Sequence, residues 1–185
     1  MDVLVRHATL YLLIVLASLC MPGSDACASQ GLAELKALWP GVDSLATWTL
    51  DDSLAHEAQL RLPNSPNDSP VKITSLFKHS DLIGWALERN AMGRYEPFTF
   101  SLAVDTSGTL RAMKVLEYRS MYGGEIQTDG FLHQFLGLNQ PDRIRVGQAI
   151  DAVSGASISS RSIAEETRYT LMAIQWLQSI GALQP

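Results

Sequence analysis

The chain has 185 residues, of which 46% are hydrophobic and 18% charged, with a formal charge of -5 and a pI near 5.3. That is an ordinary globular composition and is long enough for one core. The acidic balance argues against nucleic acid as a partner, since binding its phosphates needs concentrated Lys and Arg.

Taken in chain order, Arg6 precedes an apolar run from Ala8 to Met21, which is short for a membrane span. Pro22-Gly23 breaks the run, and Ala26-Cys27-Ala28 offers a small-x-small cleavage site. Residues 1–28 are therefore expected to be a secretory signal, with an uncleaved anchor at residues 8–21 as the alternative. Such a chain is periplasmic or at the cell surface. Both cysteines, Cys20 and Cys27, fall inside the signal, so the exported chain carries no thiol for redox chemistry or metal binding.

Residues 29–70 read as a helical extension and loop. Gln30 to Trp39 places Leu32, Leu35 and Leu38 on one helical face, and Pro40-Gly41 stops it. Leu54 to Leu60 reads as a second short helix. Leu62 to Pro70, with Pro63, Pro66 and Pro70, reads as a loop. From about Val71 the pattern is β. Strands are expected at Ile83–Glu88, Phe98–Val104 and Thr109–Tyr118, with Asp105–Gly108 turning between the last two. Asp129 to Leu136 reads as a helix ended by Gly137. Ile163, Thr167, Thr170, Leu171, Ile174, Leu177 and Ile180 then recur at helical spacing. That helix is expected to begin near Ser159 or Ser160, with Ser162 and Glu165 at capping-box spacing and Gly181 at its end. Together these elements predict an α+β domain over residues 71–185, a twisted antiparallel sheet packed against the C-terminal helix.

Just before that helix stands Asp151-Ala152-Val153-Ser154-Gly155-Ala156-Ser157-Ile158-Ser159-Ser160, an acidic residue followed by a small, hydroxyl-dense turn. The turn combines a hydroxyl, backbone without bulk and positive potential, a combination that suits an anionic group. Ser157 offers the hydroxyl, and Gly155 and Ala156 permit close approach. The helix N-terminus and Arg161 provide the potential, and Ser154, Ser159 and Ser160 add hydrogen-bonding hydroxyls. The same four residues, Ser154 to Ser157, would equally serve an ordinary loop and N-cap.

This stretch resembles the flavinylation motif of the FMN-binding domain family, found in FMN-carrying subunits of sodium-pumping NADH:quinone reductase and the Rnf complex and in stand-alone periplasmic relatives. The likeness extends through Leu76-Phe77-Lys78, Gly84 to Val104, Gly108 to Tyr118, Tyr122-Gly123-Gly124-Glu125 and Phe131 to Gly137, covering about residues 71–178. The resemblance implies covalent FMN, joined through its phosphate to Ser157 by a flavin transferase. The family usually has Thr at that position. Asp151 would orient the loop or assist the transfer. Tyr122 to Glu125 falls where larger members carry a glycine loop beside the flavin ring, so Gly123, Gly124, Glu125 and Arg119 are candidate cofactor contacts, and Tyr118 or Tyr122 could stack on it. A hairpin turn would use the same glycines.

Implied with this are electron exchange with membrane or periplasmic redox proteins and no catalytic residue of the chain's own. No Gly-x-Gly-x-x-Gly fingerprint for NAD(P)H occurs. The alternative is a flavin-free periplasmic binding or sensor module of the same fold. A serine hydrolase is disfavoured, because Gly155-Ala156-Ser157-Ile158-Ser159 lacks the second glycine of a nucleophile elbow. His56, His79 and His133 lack metal-ligand spacing.

Overall fold

The computed structural model describes residues 36–37, 39–61 and 72–183. The predicted signal, most of the helix expected at Gln30–Trp39 and the loop at 62–70 lie outside the described residues; Lys36 and Ala37 are helical.

Five strands form one antiparallel sheet in sequence order: β1 (Ser44–Thr49), β2 (Lys72–Lys78), β3 (Asp81–Met92), β4 (Pro97–Asp105) and β5 (Leu110–Glu117). Helix α1 (Asp52–Arg61) links β1 to β2. After β5 come a 3₁₀ turn (Gly124–Gln127), the one-turn helix α2 (Asp129–Leu132), two more 3₁₀ turns (His133–Phe135 and Pro141–Arg143) and the long helix α3 (Ser157–Ser179). This is the expected α+β architecture.

Alternation along the strands decides where the core sits. In β3 and β4 the pairs Trp85↔Val104, Leu87↔Leu102 and Ala91↔Phe98 face one way. They meet Ile163, Ala164, Leu171, Ile174 and Leu177 of α3 in a single buried cluster. Each fully buried aliphatic or aromatic side chain there stabilises the fold by about 1.5–3 kcal/mol. Arg89 reaches from β3 into this layer and meets Glu166 of α3 at 3.4 Å. A smaller cluster of Val42, Leu76, Ala86, Ala103 and Ala112 lies on the other sheet face.

Four sequence expectations are corrected. The stretch before residue 71 is not only helix and loop, since Ser44–Thr49 pairs with β2 along its whole length and Leu50 and Ala55 join the main core. The short Leu45-Ala46-Thr47-Trp48 run acquires strand geometry only from that partner. The strand expected at 83–88 runs twelve residues, from Asp81 to Met92. The helix expected at 129–136 is α-helical only to Leu132 and then tightens to a 3₁₀ turn. That turn brings Phe135 inward, edge-on to Phe131 with 5.5 Å between ring centroids. Last, α3 starts at Ser157, two or three residues early, and the proposed capping box is absent: Ser162 lies inside the helix, where its Oγ accepts the Met92 N–H at 2.7 Å.

The other end of α3 behaves as expected. Gly181, at φ +68°, takes the left-handed position, its N–H donates to the Gln178 carbonyl at 3.1 Å, and the Ala182 N–H donates to the Leu177 carbonyl at 2.9 Å. These two bonds are the Schellman closure of a helix. Although α3 has 23 residues, no helix among the described residues is long and apolar enough to cross a membrane.

Candidate functional site

The N-terminus of α3 is built by short contacts from three directions. The loop leading into it is fixed first. The Asp151 N–H donates to Gln134 Oε1 at 2.7 Å, which ties the loop to the 3₁₀ turn after α2. The Val153 N–H donates to Ser160 Oγ at 3.1 Å, and the Ala156 N–H donates to the Val153 carbonyl at 3.0 Å. Gly155 sits at φ +79° between them. The loop is therefore folded back on the helix it starts.

This arrangement separates the candidate hydroxyls. Ser154 and Ser157 are exposed, as are Asp151 and Gly155, whereas Ala156, Ser159 and Ser160 are buried. Ser160 turns inward and braces the loop through Val153, so its oxygen does not face solvent. Ser157 is the first residue of α3 rather than a loop residue. The N-cap is Ala156, which has no side-chain oxygen, and no side chain caps the helix. The first-turn N–H groups therefore lack the usual Ser, Thr, Asp or Asn partner, and the positive end of a long helix dipole is open beside the Ser157 hydroxyl. Arg161 is exposed one turn further on.

The glycine loop meets this helix end. Gly123 has φ +81°, and a Cβ placed on it would fall 2.4 Å from the Ala156 Cβ and 3.0 Å from the Tyr118 hydroxyl. Only glycine permits that approach. Gly124 is different: a Cβ there would meet nothing nearer than Gln127 Nε2 at 3.6 Å. The stretch is no hairpin, because Gly124 and Glu125 open a 3₁₀ turn that leads on to α2. Glu125 is exposed. Arg119 is exposed too, and its guanidinium is engaged by Glu117, with Nε to Oε1 at 2.8 Å. Of the two tyrosines, Tyr118 is a packing residue, edge-on to Phe98 at 5.3 Å, and Tyr122 is the free aromatic, 68% exposed.

A third segment was not foreseen as part of the site. The β3–β4 hairpin reaches α3 through the Met92–Ser162 bond, and a Cβ on Gly93 would lie 3.6 Å from Ser159 Oγ. Met92, Tyr95, Met121, Tyr122 and Ile158, five of the seven large exposed hydrophobic side chains among the described residues, belong to the segments around this helix end. Their sequence positions are scattered, and only exposure at a common place marks them.

Residues 93–171 match the family described as the FMN-binding domain. Over that stretch, somewhat under half of its length, the chain is similar to FMN-binding domains. The matched stretch begins at the β3–β4 turn and ends within α3, so it contains the glycine loop, the Asp151–Ala156 loop and Ser157 together. A similar solved structure is the crystal structure of Shewanella oneidensis NqrC, at 15% identity and a TM-score of 0.54, covering 80% of this chain and 88% of that one. At that identity the likeness concerns the fold. No curated protein matches the chain.

The residues within the matched stretch fit a flavin phosphate at the start of α3. The exposed hydroxyl, the uncapped N–H groups and the absence of bulk at Gly155 and Ala156 suit an anionic oxygen cluster. The exposed methionine and tyrosine side chains nearby suit a flat, largely apolar ring.

Proposed function

We propose that this chain is an exported one-flavin electron carrier, holding FMN through a phosphoester on Ser157 and passing electrons between membrane or periplasmic redox proteins. One observation carries the reading: inside the matched stretch, the one exposed hydroxyl in the first turn of α3 stands on a helix end that no side chain caps. When bound, FMN supplies reversible one- or two-electron chemistry.

The chain's own residues bind and orient. Ser157 offers the nucleophilic oxygen. Attachment would need an activated flavin nucleotide as donor: an O–P bond would form at Ser157 Oγ as the donor's pyrophosphate bond breaks, its nucleoside monophosphate would leave, and the Ser157 proton would pass to the transferase. The first-turn N–H groups and Arg161 then stabilise the remaining phosphate charge. Asp151 keeps its backbone tied to Gln134, so it orients the loop rather than touching the finished ester, whose charge it would repel. A covalent tether suits an exported carrier, since free FMN would be lost by diffusion. The short apolar run and Ala26-Cys27-Ala28 support export with removal of residues 1–28.

The test is co-expression with a flavin transferase, followed by intact mass and in-gel fluorescence after denaturation. Wild-type protein is expected to gain one FMN. Ser157→Ala is expected to gain none and to fold normally, and Ser157→Thr to retain it, because either hydroxyl serves. Flavin persisting on the alanine variant would move the attachment site. Its absence from the wild type would leave the flavin-free module as the reading. N-terminal sequencing of exported protein checks the signal: a chain that still begins at Met1 is anchored.

A further inference from the structure

Tyr118 ends the run of β5 into the glycine loop, and its hydroxyl lies where three segments meet. It donates to the Tyr122 carbonyl at 2.7 Å and lies 3.2 Å from Ser159 Oγ. A phenol has one proton. With that proton given to Tyr122, the contact with Ser159 is one that the serine donates. Ser159 is 2% exposed and sits in the first turn of α3. The same phenol oxygen is the atom a Gly123 side chain would meet at 3.0 Å. The ring itself is held by the core, edge-on to Phe98.

What this junction holds in place is exposed and apolar. Met121 and Tyr122 are 92% and 68% exposed. Their other fastening is local, with Ser120 Oγ donating to the Tyr122 carbonyl at 3.1 Å. Among the described residues, the Tyr118 hydroxyl is the one group that connects the Tyr122 backbone by hydrogen bonds to α3's first turn, the turn that Ser157 begins.

We propose that Tyr118 is a positioning residue for the flavin: by clamping the Tyr122 carbonyl to the first turn of α3, its hydroxyl fixes the Met121–Tyr122 edge beside the ring of an FMN carried on Ser157. This rests on the proposed attachment at Ser157. The clamp is part of the polypeptide and forms whether or not flavin is bound, so the loop is ready when the cofactor arrives.

Tyr118→Phe removes one oxygen and leaves the packing against Phe98. In flavin-free protein, amide hydrogen exchange across residues 120–126 is expected to rise roughly three- to tenfold, the effect of one net hydrogen bond. In flavin-loaded protein the covalent flavin content is expected to match wild type, because Ser157 is untouched, while flavin emission and midpoint potential shift. Ser159→Ala, which keeps the Tyr118–Tyr122 bond, is expected to give smaller changes in the same direction. Unchanged exchange in Tyr118→Phe overturns the clamp. Faster exchange with unchanged emission and potential overturns its role toward the flavin. Wild-type protein that takes up no flavin overturns the Ser157 reading and this proposal with it, whereas a loaded wild type with an unresponsive Tyr118→Phe overturns this proposal alone.

Discussion

Two adjacent glycines show how differently neighbouring residues can be constrained. Gly123 lies against Ala156 in a left-handed backbone conformation. Gly123→Ala is expected to cost about 1–3 kcal/mol, from the contact and the backbone strain together, and to push the loop off α3. Gly124 has room for a side chain and no positive φ. Gly124→Val is therefore expected to leave the fold and the Ser157 attachment intact while altering flavin absorption or potential. Chemical denaturation separates the two variants, and spectroelectrochemical titration of the loaded Gly124→Val protein checks the second claim. The two glycines look alike in the sequence. What distinguishes them is that Ala156, a residue far along the chain, packs on only one.

At the scale of elements, the β4–β5 turn is held by one carboxylate. Asp105 Oδ1 accepts the N–H groups of Ser107 and Thr109, each at 2.9 Å, and Oδ2 accepts Arg111 Nε at 2.7 Å. Partial burial pushes the Asp105 carboxyl up, but the hydrogen bonds from Ser107, Thr109 and Arg111 outweigh it and hold the group below its ordinary 3.8. A folded value below the unfolded one means the contribution to stability is present above the unfolded value and is lost as pH falls through the folded one. Asp105→Asn is expected to lower stability by about 1–2 kcal/mol at neutral pH and to show a smaller further loss below pH ~4 than wild type does. Thermal melts across the acid range measure both. Asp105-Thr106-Ser107-Gly108 was legible as a turn because Asp, Ser and Gly stabilise turns through their own local bonds. The start of α3 was less legible. Its serines offered several capping patterns, and the burial of Ser159 and Ser160 decided among them.

For the molecule as a whole, the division at residue 71 drawn from the onset of the β pattern does not follow the packing. β1 closes one edge of the sheet against β2, Trp48 Nε1 donates to Ser75 Oγ at 3.1 Å, and Leu50 is 3% exposed in the main core. A chain starting at Val71 is therefore expected to be less stable than one starting at Ser29 by about 3 kcal/mol or more, from the lost apolar burial alone. It is also expected to aggregate more readily through the uncovered edge of β2. Urea denaturation and light scattering compare the two. Equal stability would restore residue 71 as a true domain boundary.

The sequence by itself determined the elements whose signals are local or periodic: the alternating strands around 83–118, the Asp105 turn, the long apolar stripe of α3 and its glycine stop, and the hydroxyl-rich approach to Ser157. Those signals follow from backbone geometry within a few residues, so no partner is needed to read them. Only the tertiary structure decided that Ser44–Thr49 is a strand, that Ser160 faces inward while Ser157 faces out, and that Gly123, Tyr118 and Gly93 converge on the same helix end. Each of those facts depends on contacts between segments distant in sequence, where burial and close packing, rather than local propensity, choose the conformation.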